Sequence, residues 1–134
     1  MLSEEQENPR VIIVQKLYGN HLNKESEITF PKHRYKKFVK DVVIGTIERK
    51  DLIQDLINKE LSEDINENKT EIILKILIMA AIYEFMFMHK TPIKVIINEY
   101  TKVSEFFLEE GKKKFLNAIL DKVSKKSRPH NAWA

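Results

Sequence analysis

Between Ile72 and Met88 the chain is apolar apart from Lys75 and Glu84. A membrane span needs about 20 consecutive apolar residues, so this stretch is read as a helix buried in protein. Ile72, Ile73, Ile76, Leu77, Ile78, Ala80, Ala81, Ile82 and Phe85 surround its axis. A helix with no polar face must be a central one, with other elements packed around it. The small side chains of Ala80 and Ala81 let those neighbours approach closely.

Helical periodicity extends through the rest of the chain. Asn8 and Pro9 suit a cap and first helical position, and Val11, Val14, Leu17 and Tyr18 follow at three- and four-residue steps, ending near Gly19-Asn20. Pro31 opens a second helix with Phe38, Val42, Val43 and Ile47 on one face. A third runs from Asp51, with Leu52, Ile53, Leu56, Ile57 and Leu61 facing inward. Asn68 is the expected cap of the central helix, with Glu71 completing a capping box. Thr91-Pro92 opens the next helix, which carries Val95, Ile96, Glu99 and Val103, and either Phe106 or Phe107. After Gly111 the last helix carries Phe115, Leu116, Ile119, Leu120 and Val123. With 3 glycines and 4 prolines a many-turned β-sandwich or barrel is excluded. The expected fold is all-α, a compact bundle of about six to seven helices. A chain of 134 residues is expected to form a single domain over 1–134, with frayed termini at 1–8 and 127–134 and Trp133 dangling or docked on a partner.

The chain has no cysteine, which removes disulfides, thiolate metal sites and a thiol nucleophile. Its net charge of +3 conceals a strong pattern. Residues 32–50 carry +5 and residues 112–134 carry +6, while 51–111 carry −6. Two basic clusters flanking an acidic middle either attract polyanions or are solvated faces of a lysine-rich protein. The acidic amino terminus lacks a secretory pattern, and a cytoplasmic location with no membrane association is expected. His21, His33, His89 and His130 stand far apart, without the one-turn spacing of a helical metal site. No Gly-rich phosphate loop, Gly-x-Ser-x-Gly elbow or His-Glu-x-x-His is present, so no cofactor, metal or catalytic residue is expected.

Three features remain. Glu84, set in an apolar helix, is a general acid or base, a structural hydrogen-bonding group, or a contact for a partner. Tyr18, Tyr83 and Tyr100 are packing residues or interface anchors. Lys112, Lys113, Lys114 and Phe115 begin the last helix, where exposed amides and lysines favour phosphates and an aromatic ring can stack on an unpaired base. Phe115 belongs either to that role or to the core stripe with Ile119 and Val123.

Three blocks then carry a resemblance: Ile82-Tyr83-Glu84-Phe85, Thr91-Pro92-Ile93-Lys94-Val95-Ile96-Ile97-Asn98-Glu99, and Lys114-Phe115-Leu116-Asn117-Ala118-Ile119-Leu120-Asp121-Lys122. Together with Val14-Gln15-x-Leu17-Tyr18 and the Asp41–Gly45 segment, they resemble the NusB family of transcription antitermination factors over nearly the whole chain. The resemblance implies a helical fold in two packed halves. It further implies binding of boxA-type single-stranded RNA of ribosomal RNA leaders together with NusE, a small-subunit ribosomal protein, and indirect association with the RNA polymerase antitermination complex. By the same likeness, Arg10, Lys112, Lys113, Lys114 and Phe115 would lie near RNA. Tyr18 and Glu84 would face NusE, and the chain would be a monomer or weak homodimer.

Departures from the family pattern bear on RNA. The arginines that often precede the first helix are replaced by Glu4-Glu5-Gln6-Glu7-Asn8-Pro9-Arg10, leaving only Arg10. A Leu-Arg pair becomes Ile78-Met79, and a glycine becomes Ala118. A protein-interaction module of the same fold with little RNA binding of its own is therefore the alternative expectation. NusB-like domains also occur fused to RNA cytosine methyltransferases, but no cofactor loop supports an enzyme here.

Overall fold

The computed structural model describes residues 8–66 and 69–128. Six helices form among them: α1 (Pro9–Leu22), α2 (Lys36–Glu48), α3 (Lys50–Glu60), α4 (Ile72–Phe87), α5 (Ile93–Ser104) and α6 (Gly111–Ser127). No strand occurs among the described residues. The expected all-α bundle is what forms. Helix α4 is its axis: all five other helices touch it, and α1 also meets α5 as α3 meets α6. Leu77, Ile78, Ala80, Ala81, Ile82 and Phe85 are completely buried. Each large aliphatic or aromatic side chain so removed from water contributes about 1.5–3 kcal/mol.

Helix α1 starts where the Asn8-Pro9 pair predicts. The Asn8 side chain accepts from the Arg10 backbone N–H at 2.9 Å, satisfying one of the amides a helix start leaves unpaired. Elsewhere several boundaries and faces differ from expectation. Helix α2 begins at Lys36 rather than Pro31, because a turn intervenes: the Tyr35 N–H donates to His33 Nδ1 at 3.0 Å and the Lys36 N–H to the His33 carbonyl at 3.1 Å. Helix α4 begins at Ile72, with Glu71 in the cap position but making no side-chain cap bond. The expected cap Asn68 lies outside the described residues. Leu52 and Val95 face solvent, and of the two phenylalanines after α5 it is Phe107 that packs on the core, while Phe106 is exposed. At residues 127 and 128 alone the expected fraying is not met. Helix α6 runs through Ser127, and Arg128 is buried and anchored. Residues 1–7 and 129–134, with Trp133, lie outside the described residues.

Gly45 of α2 lies directly against the Tyr83 ring of α4. A Cβ built there would lie 2.2 Å from Cζ of Tyr83, so the phenol ring occupies the space a side chain would need. Alanine in a helix interior is worth about 1 kcal/mol over glycine, while forcing an extra methyl into a filled contact costs about 1–3 kcal/mol. Gly45→Ala is therefore expected to destabilise by about 1 kcal/mol net, as the Tyr83 ring is pushed from its place beside Phe87. In a Tyr83→Ala background the same substitution should be neutral or stabilising, and urea denaturation of the four variants checks this. Equal effects in both backgrounds would show that the Gly45–Tyr83 contact is not the cause.

Candidate nucleic-acid and partner interface

Glu84 lies on the buried face of α4 and is completely removed from solvent. Taking a bare carboxylate out of water is prohibitively costly unless it is paired and hydrogen-bonded. Two residues from other helices meet that need. Arg10 of α1 donates Nε–H to Glu84 Oε2 at 3.0 Å and Nη2–H to Oε1 at 2.7 Å, a two-pronged match of guanidinium to carboxylate. Tyr100 of α5, also fully buried, donates its hydroxyl to Glu84 Oε2. Arg10 Nη1 lies 3.9 Å from Glu99 Oε1, and the guanidinium carbon sits 4.9 Å from the centre of the Phe38 ring of α2. One carboxylate thus joins α1, α4 and α5, the elements that belong to the two halves.

The protonation states follow from this packing. Burial by itself lowers the pKa of the Arg10 guanidinium, but the hydrogen bonds to Glu84 and its charge outweigh that and hold it above its ordinary value. Burial, and next the charge of Glu84, push the Tyr100 hydroxyl well above the ordinary tyrosine range, so it remains a donor.

This arrangement corrects two expected site residues. Arg10 was expected near RNA, but its guanidinium is committed inward and the residue is 8% exposed. Glu84 was expected on a partner-facing side, and its complete burial removes it from any surface. The structure brings the two together as one another's partners. The sequence reading missed Tyr100 as the third member. Its place on the α5 stripe with Ile96 and Val103 marked it as core, and a buried hydroxyl requires an acceptor.

Arg128 was counted with the carboxyl-terminal basic cluster. Its side chain instead turns inward and caps the end of α4. Nε donates to the Phe85 carbonyl at 2.8 Å, Nη2 to those of Glu84 and Met88 at 2.9 and 3.0 Å, and Nη1 to that of Thr91 at 2.6 Å. Carbonyls near a helix end run short of partners, though those of Glu84 and Met88 also accept from the Met88 and Thr91 N–H groups at 2.9 and 3.0 Å, and a cation there meets the negative end of the helix dipole.

The remaining candidates lie at the surface. Lys112, Lys113, Lys114 and Phe115 occupy the first turn of α6. Buried Leu116, Ile119, Leu120 and Val123 form the inward stripe, and Phe115, at its margin, is 38% exposed. Of its two expected roles, full membership of the core stripe is thereby excluded. Lys114 is exposed, and Lys113 pairs with Glu105 where both side chains are about half exposed. Such a pair contributes about 0–1 kcal/mol and yields readily to a stronger anion. The expectation of open amides at this helix start is not met. The N–H groups of Lys112 and Lys113 bond to the carbonyls of Glu109 and Glu110 at 2.9 and 3.2 Å. Anion attraction there rests on the lysine side chains. Tyr18 of α1 is half-buried, its ring packed on the core and its margin open. Among the described residues no three His, Asp or Glu side chains gather as a metal site would require, and no helix is long and apolar enough to cross a membrane.

The family model described as "NusB family" matches residues 6–125. The transcription antitermination protein NusB of Mesorhizobium japonicum is 28% identical over 107 residues, covering 80% of this chain and 69% of that protein. The protein of the same name from Rickettsia typhi is 32% identical, covering 79% of this chain and 66% of its own. That from Rickettsia bellii is 37% identical over 81 residues, which span 60% of this chain but only 52% of the relative. The solved structure of T. maritima NusB superposes with a TM-score of 0.81 over 99% of both chains at 22% identity, a likeness of fold.

Proposed function

The chain belongs to the NusB family, and from that premise we propose that it is a transcription antitermination factor that binds boxA-type RNA of ribosomal RNA leaders together with NusE. The family is one of transcription factors rather than enzymes. The observation that carries the RNA half of the reading is the first turn of α6, where Phe115 stands exposed beside three lysines. Lysines neutralise phosphates without regard to sequence, and an exposed ring offers a stacking surface to an unpaired base. Tyr18 offers the partner a large apolar body with one polar handle.

The Lys112→Glu/Lys114→Glu double variant is expected to weaken binding of a labelled boxA-like RNA at least roughly tenfold in the presence of NusE and to flatten the salt dependence by about two phosphate contacts. Phe115→Ala is expected to cost about 1–3 kcal/mol of RNA binding, with little change in folding stability because the ring is partly in solvent. Fluorescence anisotropy at two salt concentrations, with and without NusE, measures both. Unchanged affinity in these variants would remove the α6 turn from the RNA path. Tyr18→Asp is expected to damage NusE binding with little loss of helicity; loss of both together would make Tyr18 a core residue only.

A second reading, a protein-interaction module with no RNA binding of its own, also has observations in its favour. Arg10 and Arg128 are withdrawn into the interior, and Glu105, Glu109 and Glu110 surround Lys113 in a shallow recess. Intact association with NusE but no RNA binding in either state would select this reading.

A further inference from the structure

A recess of about 110 Å³ opens between the end of α1, the junction of α2 with α3, and the first half of α4. It shares no lining residue with the α6 turn and does not include Tyr18. Its floor is aliphatic, with Leu17, Ile47, Ile76 and Met79 among the side chains, and no aromatic ring other than that of His21 borders it. Its rim holds Lys24, Lys50 and Lys75, and no aspartate or glutamate lines it. The Lys50 ammonium is held below the ordinary lysine range, by partial burial first and then by the charge of Lys24 and, less strongly, of Lys75. Asp51 nearby offsets this only in part. The wall also contains Thr46, 2% exposed, whose hydroxyl is the one buried side-chain polar atom among the described residues without a hydrogen-bond partner.

We propose that this recess is a docking pocket for a short acidic peptide segment of a protein partner, which seats one aliphatic side chain against Leu17, Ile47, Ile76 and Met79 and sets a carboxylate among Lys24, Lys50 and Lys75. Three cations crowded at one rim repel each other, and an anion placed among them removes that repulsion. The aliphatic floor selects the body that carries the anion. A bare phosphate leaves the floor wet, and the imidazole of His21 is the one aromatic ring the lining offers a nucleic acid base, against an otherwise aliphatic floor. An unpartnered hydroxyl in the wall is a donor for which a carboxylate is the natural acceptor.

The test titrates the full chain with the peptide acetyl-Glu-Leu-Glu-amide while the methyl resonances of Ile47, Ile76 and Met79 are followed by NMR. Saturable shifts at these methyls are expected. They should be absent, or need at least roughly tenfold more ligand, with acetyl-Glu-Gly-Glu-amide and with acetyl-Gln-Leu-Gln-amide. Lys24→Glu/Lys50→Glu should weaken the first peptide by a similar factor. Both lysines are exposed, so the fold is expected to persist, and unchanged methyl dispersion elsewhere verifies it. Equal binding of the glycine peptide, or of inorganic phosphate, would overturn the proposal by showing a bare anion patch. Tighter binding of an RNA oligomer at the same methyls would reassign the surface to nucleic acid, and no shift with any peptide would dismiss the pocket.

Discussion

Replacing Arg10 with methionine is expected to remove about 3–5 kcal/mol of folding stability, because it leaves the fully buried Glu84 carboxylate without its cation. A whole domain is held by only about 5–15 kcal/mol, so the variant should unfold at much lower urea. Removing all the polar members at once should behave differently. In Arg10→Met/Glu84→Leu/Tyr100→Phe no charge or hydroxyl of the trio remains unsatisfied, and apolar replacement of a buried ion pair is often neutral or stabilising. The triple variant is therefore expected to recover most of what Arg10→Met alone loses. A triple variant as unstable as the single one would mean that packing volume, and not the stranded charge, sets the loss. The Tyr100 member adds a pH dependence whose sign follows from its raised pKa in the folded state. In the unfolded chain the hydroxyl ionises near pH ~10. Its contribution is complete below that pH and is lost as pH rises from there through the folded-state value. Tyr100→Phe should accordingly flatten the alkaline limb of the stability curve, measured as urea midpoints between about pH 8 and about pH 11.

The Arg10 result bears on what could be read from residue order. Local signals performed well where a single segment decides the outcome. The apolar circumference of α4 dictates its central place, and Asn8-Pro9 marks the start of α1 because cap chemistry is contained within three residues. Local signals failed where a competing local bond intervened. Pro31 is compatible with a helix start, yet the His33–Tyr35 turn delays α2 to Lys36. Periodicity also gave Leu52 and Val95 an inward place; the helices are too narrowly covered at those angles, and both face water.

The site was less legible, for a different reason. Arg10 and Glu84 are separated by 74 positions, and only the packing of α1 on α4 makes them neighbours. Taken one at a time, an arginine near the amino terminus reads as a surface cation and a glutamate in an apolar helix as a contact or catalyst. The combination available in advance was the pair of constraints: Arg10 precedes Val14 by one helical turn on the buried face, and Glu84 has no polar face to occupy. Each then requires an opposite charge in the interior. Phe115 shows the reverse case: beside a core stripe its reading stayed open between core and surface, and the ring proves to be partly in solvent.

Arg128→Ala is expected to cost about 3 kcal/mol, since it strips a charged donor from four carbonyls around the end of α4. Two of these bonds, from Nε to Phe85 and from Nη2 to Glu84, are buried, so water does not readily replace them. Arg128→Lys should restore less than half of the loss, because one ammonium cannot reproduce the spread of a planar guanidinium over acceptors on both sides of the Met88–Thr91 turn. The loss should also be local in character. Hydrogen exchange is expected to accelerate first at the last turn of α4 and the first turn of α5, which Arg128 ties to the end of α6, while the α1–α4 contact around Glu84 holds until global unfolding. Uniform acceleration across all helices would show that the residue contributes only to overall stability. Unchanged stability in Arg128→Ala would mean that these carbonyls find other donors, and that the end of α6 does not secure the centre of the bundle.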